Sequence, residues 1–283
     1  MKKIILLTAV LVSAFSFAEI SSNEKSILLS FYHSTNGTKW TTQWDLNQPV
    51  SKWHGVTVEN NHVVELNLPM NNLTGSLPLS MGDLNYLTVI NLFKNEISGE
   101  LPTSIGNLSS LKILNISFNK LTGSIPETIS NATNLVSIEL FMNTLTGSIP
   151  TNLNSLENLE LLSLYNNQLT GELPSSLFGL KKIKVLQLNS NKLTGTLSPD
   201  IVNLISLESL VLFDNNLAGT IPFELDRLKN LKDINVSHNK FNGYVSRSLA
   251  EKDTFKMTMV DEYGIASALS VYSEKDKAIV NDE

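Results

Sequence analysis

Asparagine recurs at every twenty-fourth position, without gap or insertion, at Asn71, Asn95, Asn119, Asn143, Asn167, Asn191, Asn215 and Asn239. A fixed period of this length means that one short unit is stacked on itself, so the chain builds a rod of coils and not a sphere. Four positions after each asparagine stands a glycine: Gly75, Gly99, Gly123, Gly147, Gly171, Gly195, Gly219 and Gly243. Proline fills a third column at Pro78, Pro102, Pro126, Pro150, Pro174 and Pro222, with Ser198 and Ser246 in its place twice. Eight of the 14 glycines and six of the nine prolines therefore belong to the period. A length of 283 residues would otherwise suggest one or two globular domains. A hydrophobic content of 42% excludes a disordered chain.

Each unit reads L-x-x-L-x-L-x-x-N-x-L, as in Leu111-Lys112-Ile113-Leu114-Asn115-Ile116-Ser117-Phe118-Asn119-Lys120-Leu121. The L-x-L portion alternates with period two, which is a strand with one face inward and one outward. The recurrent Asn can offer its amide to backbone groups of its own coil and its neighbour, satisfying a turn that would otherwise bury unpaired N–H and C=O groups. Glycine permits the following turn, and proline fixes φ where the chain leaves a second short extended segment. Two apolar columns line the return path: Met81, Ile105, Ile129, Leu153, Leu177, Ile201, Leu225 and Leu249, and, three positions on, Leu84, Leu108, Ala132, Leu156, Leu180, Leu204 and Leu228. Their offset predicts a short helical or 3₁₀ turn on the convex side. Eight coils at strand spacing make a sheet roughly 35 Å wide.

These motifs, with Leu121-Thr122-Gly123-Ser124-Ile125-Pro126 and its counterpart Leu145-Thr146-Gly147-Ser148-Ile149-Pro150, resemble the plant-type 24-residue class of extracellular leucine-rich repeats. The resemblance covers about residues 22–246. It implies an α/β repeat solenoid: a right-handed superhelix with a concave parallel β-sheet and short 3₁₀ or helical turns outside. The segment Trp44 to Pro49, Trp53, Gly55-Val56 and Val64-Glu65-Leu66 resembles that family's N-terminal cap, but Val50 and Val58 stand where the plant proteins carry cysteines. Ser34-Thr35-Asn36-Gly37-Thr38-Lys39-Trp40 is more similar to the disulfide-free cap of exported bacterial repeat proteins, which implies a bacterial origin. For function the family implies recognition of a partner, without naming one.

The ends of the chain read differently from its middle. Lys2 and Lys3, the apolar run Ile4 to Phe17 and the small residues before Ala18 form a secretory signal, with cleavage expected after Ala18. No later stretch is long and apolar enough to span a membrane. Without Lys2 and Lys3, 19 of the 21 basic residues face 27 acidic ones, a formal charge of −8 that disfavours nucleic acid. The absence of cysteine excludes disulfides, thiolate metal sites and Cys nucleophiles. The expected layout is a signal peptide at 1–18, an N-terminal cap at 19–62, eight repeats at 63–246, a C-terminal cap at 247–272 and a flexible tail at 273–283. In the first cap Ser21-Ser22-Asn23-Glu24 has capping-box spacing, and Ile27, Leu28, Phe31 and Tyr32 share one helical face. With Trp40, Trp44 and Trp53 they supply the aromatic surface to plug the first coil; a sugar-binding cluster is the alternative. In the second cap Phe255, Met257 and Met259 alternate like a degenerate ninth strand, one position out of register.

The histidines His33, His54, His62 and His238 suggest no metal cluster or catalytic grouping, and the carboxylates fall at non-matching repeat positions. The chain therefore reads as a non-enzyme without cofactor or metal. Function is expected on the concave face, where consensus leaves the residues free. The position after L-x-L reads Pro69, Phe93, Ser117, Phe141, Tyr165, Asn189, Phe213 and Ser237, and the next reads Met70, Lys94, Phe118, Met142, Asn166, Ser190, Asp214 and His238. The position before the second leucine contributes Val89, Ile113, Leu161 and Val185. Contiguous aromatic and aliphatic residues facing water mark interaction sites. The expected partner-binding set is Phe93, Phe118, Phe141, Tyr165, Phe213, Val89, Ile113, Leu161 and Val185. Four of the five aromatics are Phe, which favours an extracellular or cell-surface protein over a glycan. A third reading, ice or another crystal surface, looks to the column Thr74, Thr122, Thr146, Thr170 and Thr194, interrupted by Ser98, Ala218 and Asn242. With no kinase segment in the sequence, an exported monomer is expected, extracellular or periplasmic.

Overall fold

Seven apolar positions per repeat build the interior. In the third repeat Leu111, Leu114, Ile116, Leu121, Ile125, Ile129 and Ala132 are all buried, and Leu87, Ile90, Leu92, Ile97, Leu101, Ile105 and Leu108 occupy the same places in the second. Period-two alternation turns the L-x-L pair, such as Leu114 and Ile116, inward, and stacking the coils joins the columns into a single core. The computed structural model describes residues 20–253, 257–260 and 265–272. The expected signal segment, the tail and Phe255 lie outside these residues.

The main sheet has nine strands. Val56–Glu59 pairs antiparallel with His62–Asn67, and seven short strands follow in parallel: Val89–Asn91, Ile113–Asn115, Ser137–Glu139, Leu161–Ser163, Val185–Gln187, Ser209–Val211 and Asp233–Asn235. Between neighbouring repeats each residue stands opposite its equivalent one period on, as Leu114 does with Ile138 and Ile138 with Leu162. The hairpin strand is therefore an addition to the eight anticipated from the repeat. On the flank of the solenoid a second, broken ladder runs through Thr74–Gly75, Glu96–Glu100 and Lys120–Thr122, and again through Ala218–Thr220 and Lys240–Asn242. The return path is made of 3₁₀ turns, such as Thr103–Asn107 and Glu127–Asn131, each preceded by its column proline in extended conformation. Where serine replaces that proline, its hydroxyl caps the following turn: Ser198 accepts from the Asp200 N–H and Ser246 from the Leu249 N–H. A column of turns takes more room than a column of hydrogen-bonded strands, so the stack bends with the main sheet inside.

The asparagine ladder closes the polar accounting. Asn119 Nδ2 donates to the carbonyls of Ile116 in its own coil and Leu92 in the preceding one, while its Oδ1 accepts the Ile97 N–H. Asn143, Asn167, Asn191 and Asn215 repeat the pattern. Just before each asparagine the backbone is left-handed: Met70, Lys94, Phe118, Met142, Asn166, Ser190, Asp214 and His238 have φ between 51° and 56°. L-residues enter that region at a cost of about 1–2 kcal/mol each, so the ladder must hold them there.

The first coil is covered by helix Ser22–Ser34, whose Ile27, Leu28, Phe31 and Tyr32 are buried. Only half of the capping box forms. Ser21 Oγ accepts the Glu24 N–H, but the buried Glu24 carboxylate turns to His62 Nδ1 at 3.3 Å. Trp40, Trp44 and Trp53 are 2–3% exposed, and Trp44 stacks on Trp53 with centroids 4.6 Å apart. Each indole N–H bonds a backbone carbonyl, of Thr35, His54 and Asp45 respectively. No ring face is left for a sugar, and the aromatics serve as the plug.

At the other end the coil shortens. Asp214 N–H reaches the carbonyl of Ser237 in the next coil, whereas His238 N–H reaches that of Thr258, three positions earlier than the same step would end. Thr258–Val260 pairs with Ala266–Ala268, and Met257 and Met259 are buried. The sequence suggested a slip of one position; the structure shows a slip of three. Asp253, 3% exposed, accepts the Val236 N–H at 3.3 Å and ties this segment to the last repeat.

Candidate partner-binding interface

Val89, Ile113, Leu161 and Val185 alternate with the core residues Ile90, Leu114, Leu162 and Leu186, so the pleat turns them away from the interior. Val89, Leu161 and Val185 are half-buried and Ile113 is 38% exposed. Next to them lies a polar row whose members bond one another across repeats. Asn91 Nδ2 donates to Asn67 Oδ1, Asn115 Nδ2 to Glu139 Oε2, and Ser163 Oγ to Gln187 Oε1.

Beyond that row stand the rings. Phe93, Phe118, Phe141 and Tyr165 form one continuous ladder, with successive centroid separations of 5.4, 5.7 and 4.4 Å. The first two contacts are edge-to-face; Phe141 and Tyr165 are stacked within 10° of parallel. All four rings are half-buried. The linear alignment puts Phe118 one position out of the aromatic column, which holds Ser117 in that repeat. In the structure the ring of Phe118 (φ 54°) occupies the gap between Phe93 and Phe141, and Ser117 is fully buried with its hydroxyl on Asn115 Oδ1. Ser237 and His238 repeat the exchange: Ser237 is buried and the imidazole lies 4.7 Å from the Phe213 ring. Ser117 and Ser237, expected to face out, are thus interior residues.

Phe213 does not join the main ladder. Asn189 and Ser190 occupy the sixth repeat, so the expected row of five aromatics divides into a four-ring stretch and a Phe213–His238 pair. A further pair was not anticipated: His62 and Tyr86 stack at 3.5 Å beside the first strands. They stand exactly one period apart in the sequence, so the repeat itself carried the signal.

One rim of the face carries alternating charge. Lys184 bonds Glu160 at 2.7 Å and Lys232 bonds Glu208 at 2.5 Å. The Glu160 hydrogen bond raises the Lys184 pKa, and the Lys232 hydrogen bond holds Glu208 below the usual carboxylate range. Burial, and then the charge of Glu139, push the Tyr165 phenol up. Among the described residues no group of three or more His, Asp or Glu could hold a metal ion, and no helix is long and apolar enough to cross a membrane.

Five segments, residues 86–108, 110–132, 158–180, 182–204 and 206–228, match the family profile described as Leucine Rich Repeat. Among solved structures, the ectodomain of the membrane receptor kinase GASSHO1/SCHENGEN3 from Arabidopsis thaliana, in complex with Casparian strip integrity factor 2, is 38% identical with a TM-score of 0.61. That match covers 62% of this chain and 21% of the receptor chain, so the protein spans about a fifth of the ectodomain it resembles. A chain of the BIR3–SERK2 complex, also from Arabidopsis thaliana, is 30% identical with a TM-score of 0.50, over 59% of this chain and 93% of that one. A plant ice-binding protein is 25% identical with a TM-score of 0.70, over 90% and 89%. No curated protein matches the sequence.

Proposed function

The chain belongs to the leucine-rich-repeat family, and from that premise we propose that it is an exported, non-catalytic recognition module that binds a protein along its concave face. The observation that carries this reading is the four-ring ladder Phe93–Phe118–Phe141–Tyr165, held half-exposed on a rigid sheet. Rings fixed in this way give contact area at little entropic cost, and the adjoining amide row offers hydrogen bonds. Val89, Ile113, Leu161 and Val185 add a second apolar strip on the far side of that row, with Phe213 as a separate anchor. Two chains of this fold solved in complexes with protein partners support the reading. In the proposed layout residues 1–18 direct export, 19–62 and 247–272 cap the eight repeats of 63–246, and the cysteine-free cap reflects a bacterial origin.

The test compares wild type with a variant carrying Phe93→Ala, Phe118→Ala, Phe141→Ala and Tyr165→Ala, each used to capture proteins from the native medium. A partner recovered by wild type and lost by the variant supports the concave face; equal recovery of every partner moves the site elsewhere. A glycan-array signal that vanishes in Phe141→Ala would shift the ligand class to carbohydrate.

A second reading, ice binding, is favoured by the near full-length match to the plant ice-binding protein. Its surface would be the flank, where Thr122, Thr146, Thr170 and Thr194 are exposed in a column. Absence of thermal hysteresis in the purified protein disposes of it.

A further inference from the structure

Along one rim Glu160 and Glu208 have Lys184 and Lys232, and on the flank Glu96 has Lys120. Glu65, in the hairpin at the end of the sheet, accepts from the neutral Thr57 and Asn67. Glu139 likewise has no cation. It lies mid-sheet in the fourth repeat, in register with Asn115 on one side and Ser163 on the other. Its oxygens accept only neutral donors, Asn115 Nδ2 at 3.2 Å and Ser137 Oγ at 3.1 Å. No Lys, Arg or His of the described residues pairs with it. The Ser163 hydroxyl, the nearest further donor in register, is committed to Gln187.

This lone carboxylate sits beside the aromatic ladder. Phe141 follows two positions later, just past the end of strand Ser137–Glu139, and Tyr165 stacks on Phe141. The charge of Glu139 is felt at the Tyr165 phenol, so the two share one electrostatic neighbourhood. A half-buried carboxylate with neutral donors and ring faces around it attracts a cation that is itself flat and weakly hydrated. Guanidinium fits on both counts: it bonds carboxylate through a planar fork and stacks on aromatic rings, whereas ammonium is a compact, strongly hydrated point charge.

Building on the recognition function proposed above, we infer that Glu139, with Phe118, Phe141 and Tyr165, forms a specificity pocket for an arginine side chain presented by the protein partner. The ladder supplies contact area, and Glu139 selects which segment of a partner docks there.

A random peptide display library selected on the intact protein tests this. Three targets are used: wild type, Glu139→Gln, and the triple variant Phe118→Ala, Phe141→Ala, Tyr165→Ala. Glutamine keeps the shape and one of the two acceptor oxygens while turning the other into an N–H donor, and dispersed amide NMR spectra verify that each variant folds. Wild-type binders should be enriched in arginine at one position. Their affinity should fall about tenfold or more on Glu139→Gln, since a hydrogen bond to a charged group is worth more than a neutral one. Replacing that arginine by the isosteric, neutral citrulline should cost wild type the same factor and the Glu139→Gln variant almost nothing. Binders that need the ladder but show no arginine preference and ignore Glu139→Gln overturn this inference and leave the concave-face function standing. Failure to select any binder that the triple variant loses overturns both.

Discussion

Asn143 Oδ1 accepts the Leu121 N–H at 2.9 Å, although the two residues belong to different coils. The same side chain donates to the carbonyls of Ile116 and Leu140 at 3.0 Å, so one amide satisfies three buried backbone groups. Asn143→Ala strands them and should destabilise the protein by about 2–4 kcal/mol. Asn143→Asp should be no better at neutral pH, because a carboxylate can keep the Leu121 bond but faces two carbonyls it cannot donate to. Denaturation midpoints check the magnitude. Hydrogen exchange should place the loss in repeats three and four, since each coil contacts only its neighbours. A uniform loss of protection along the stack would contradict this account.

The left-handed column makes a prediction of opposite sign. Ser190 has φ 54°, and its position in the repeat is nowhere filled by glycine. Glycine accepts that conformation without the Cβ penalty but loses more freedom on folding. The strain term is the larger, so Ser190→Gly should stabilise by roughly 0.5–1 kcal/mol. A lowered thermal midpoint would show that the ladder asparagines do not hold the column against its own preference.

Three groups set a pH dependence. The Tyr165 phenol is raised by burial and then by Glu139. A raised folded value means that this stability is present below the ordinary tyrosine pKa and is lost as pH rises through the folded one. Lys184, also raised, follows the same direction at alkaline pH. Glu208 is depressed by Lys232, so its contribution is present above the ordinary glutamate value and is lost as pH falls through the folded one. Both rim pairs are solvent-exposed and their effects should vanish in high salt. In an ultraviolet titration Tyr165 should ionise late. Glu139→Gln should recover only part of that delay, because burial is the larger cause.

The fold was legible because its causes repeat: leucine, asparagine, glycine and proline each answer a local need that recurs once in every coil. The caps were legible in outline from the aromatic content of residues 31–53, yet the turning of Glu24 away from its box and toward His62 was not. That contact crosses from the helix to the hairpin and follows no period. The candidate face was half legible. Alternation put its strand residues on the side away from the core, but alignment treats neighbouring columns as parallel tracks, and a left-handed backbone lets a side chain cross from one to the next. Phe118 and His238 both make that crossing, and in both repeats the column position holds serine.

That exchange can be tested by reversing it. Ser117 is fully buried and Phe118 already fills the space between Phe93 and Phe141. Adding a ring by Ser117→Phe alone should therefore overpack the site and cost about 1–3 kcal/mol. Phe118→Asn alone should open a gap in the ladder and also destabilise. Together, Ser117→Phe with Phe118→Asn reproduces the arrangement of Tyr165 and Asn166 in the fifth repeat, with asparagine in the left-handed position it tolerates well. The double variant should recover most of both losses, giving a coupling energy of about 1–2 kcal/mol in a double-mutant cycle. Simple additivity of the two losses would mean that the rings of adjacent columns do not compete for one place.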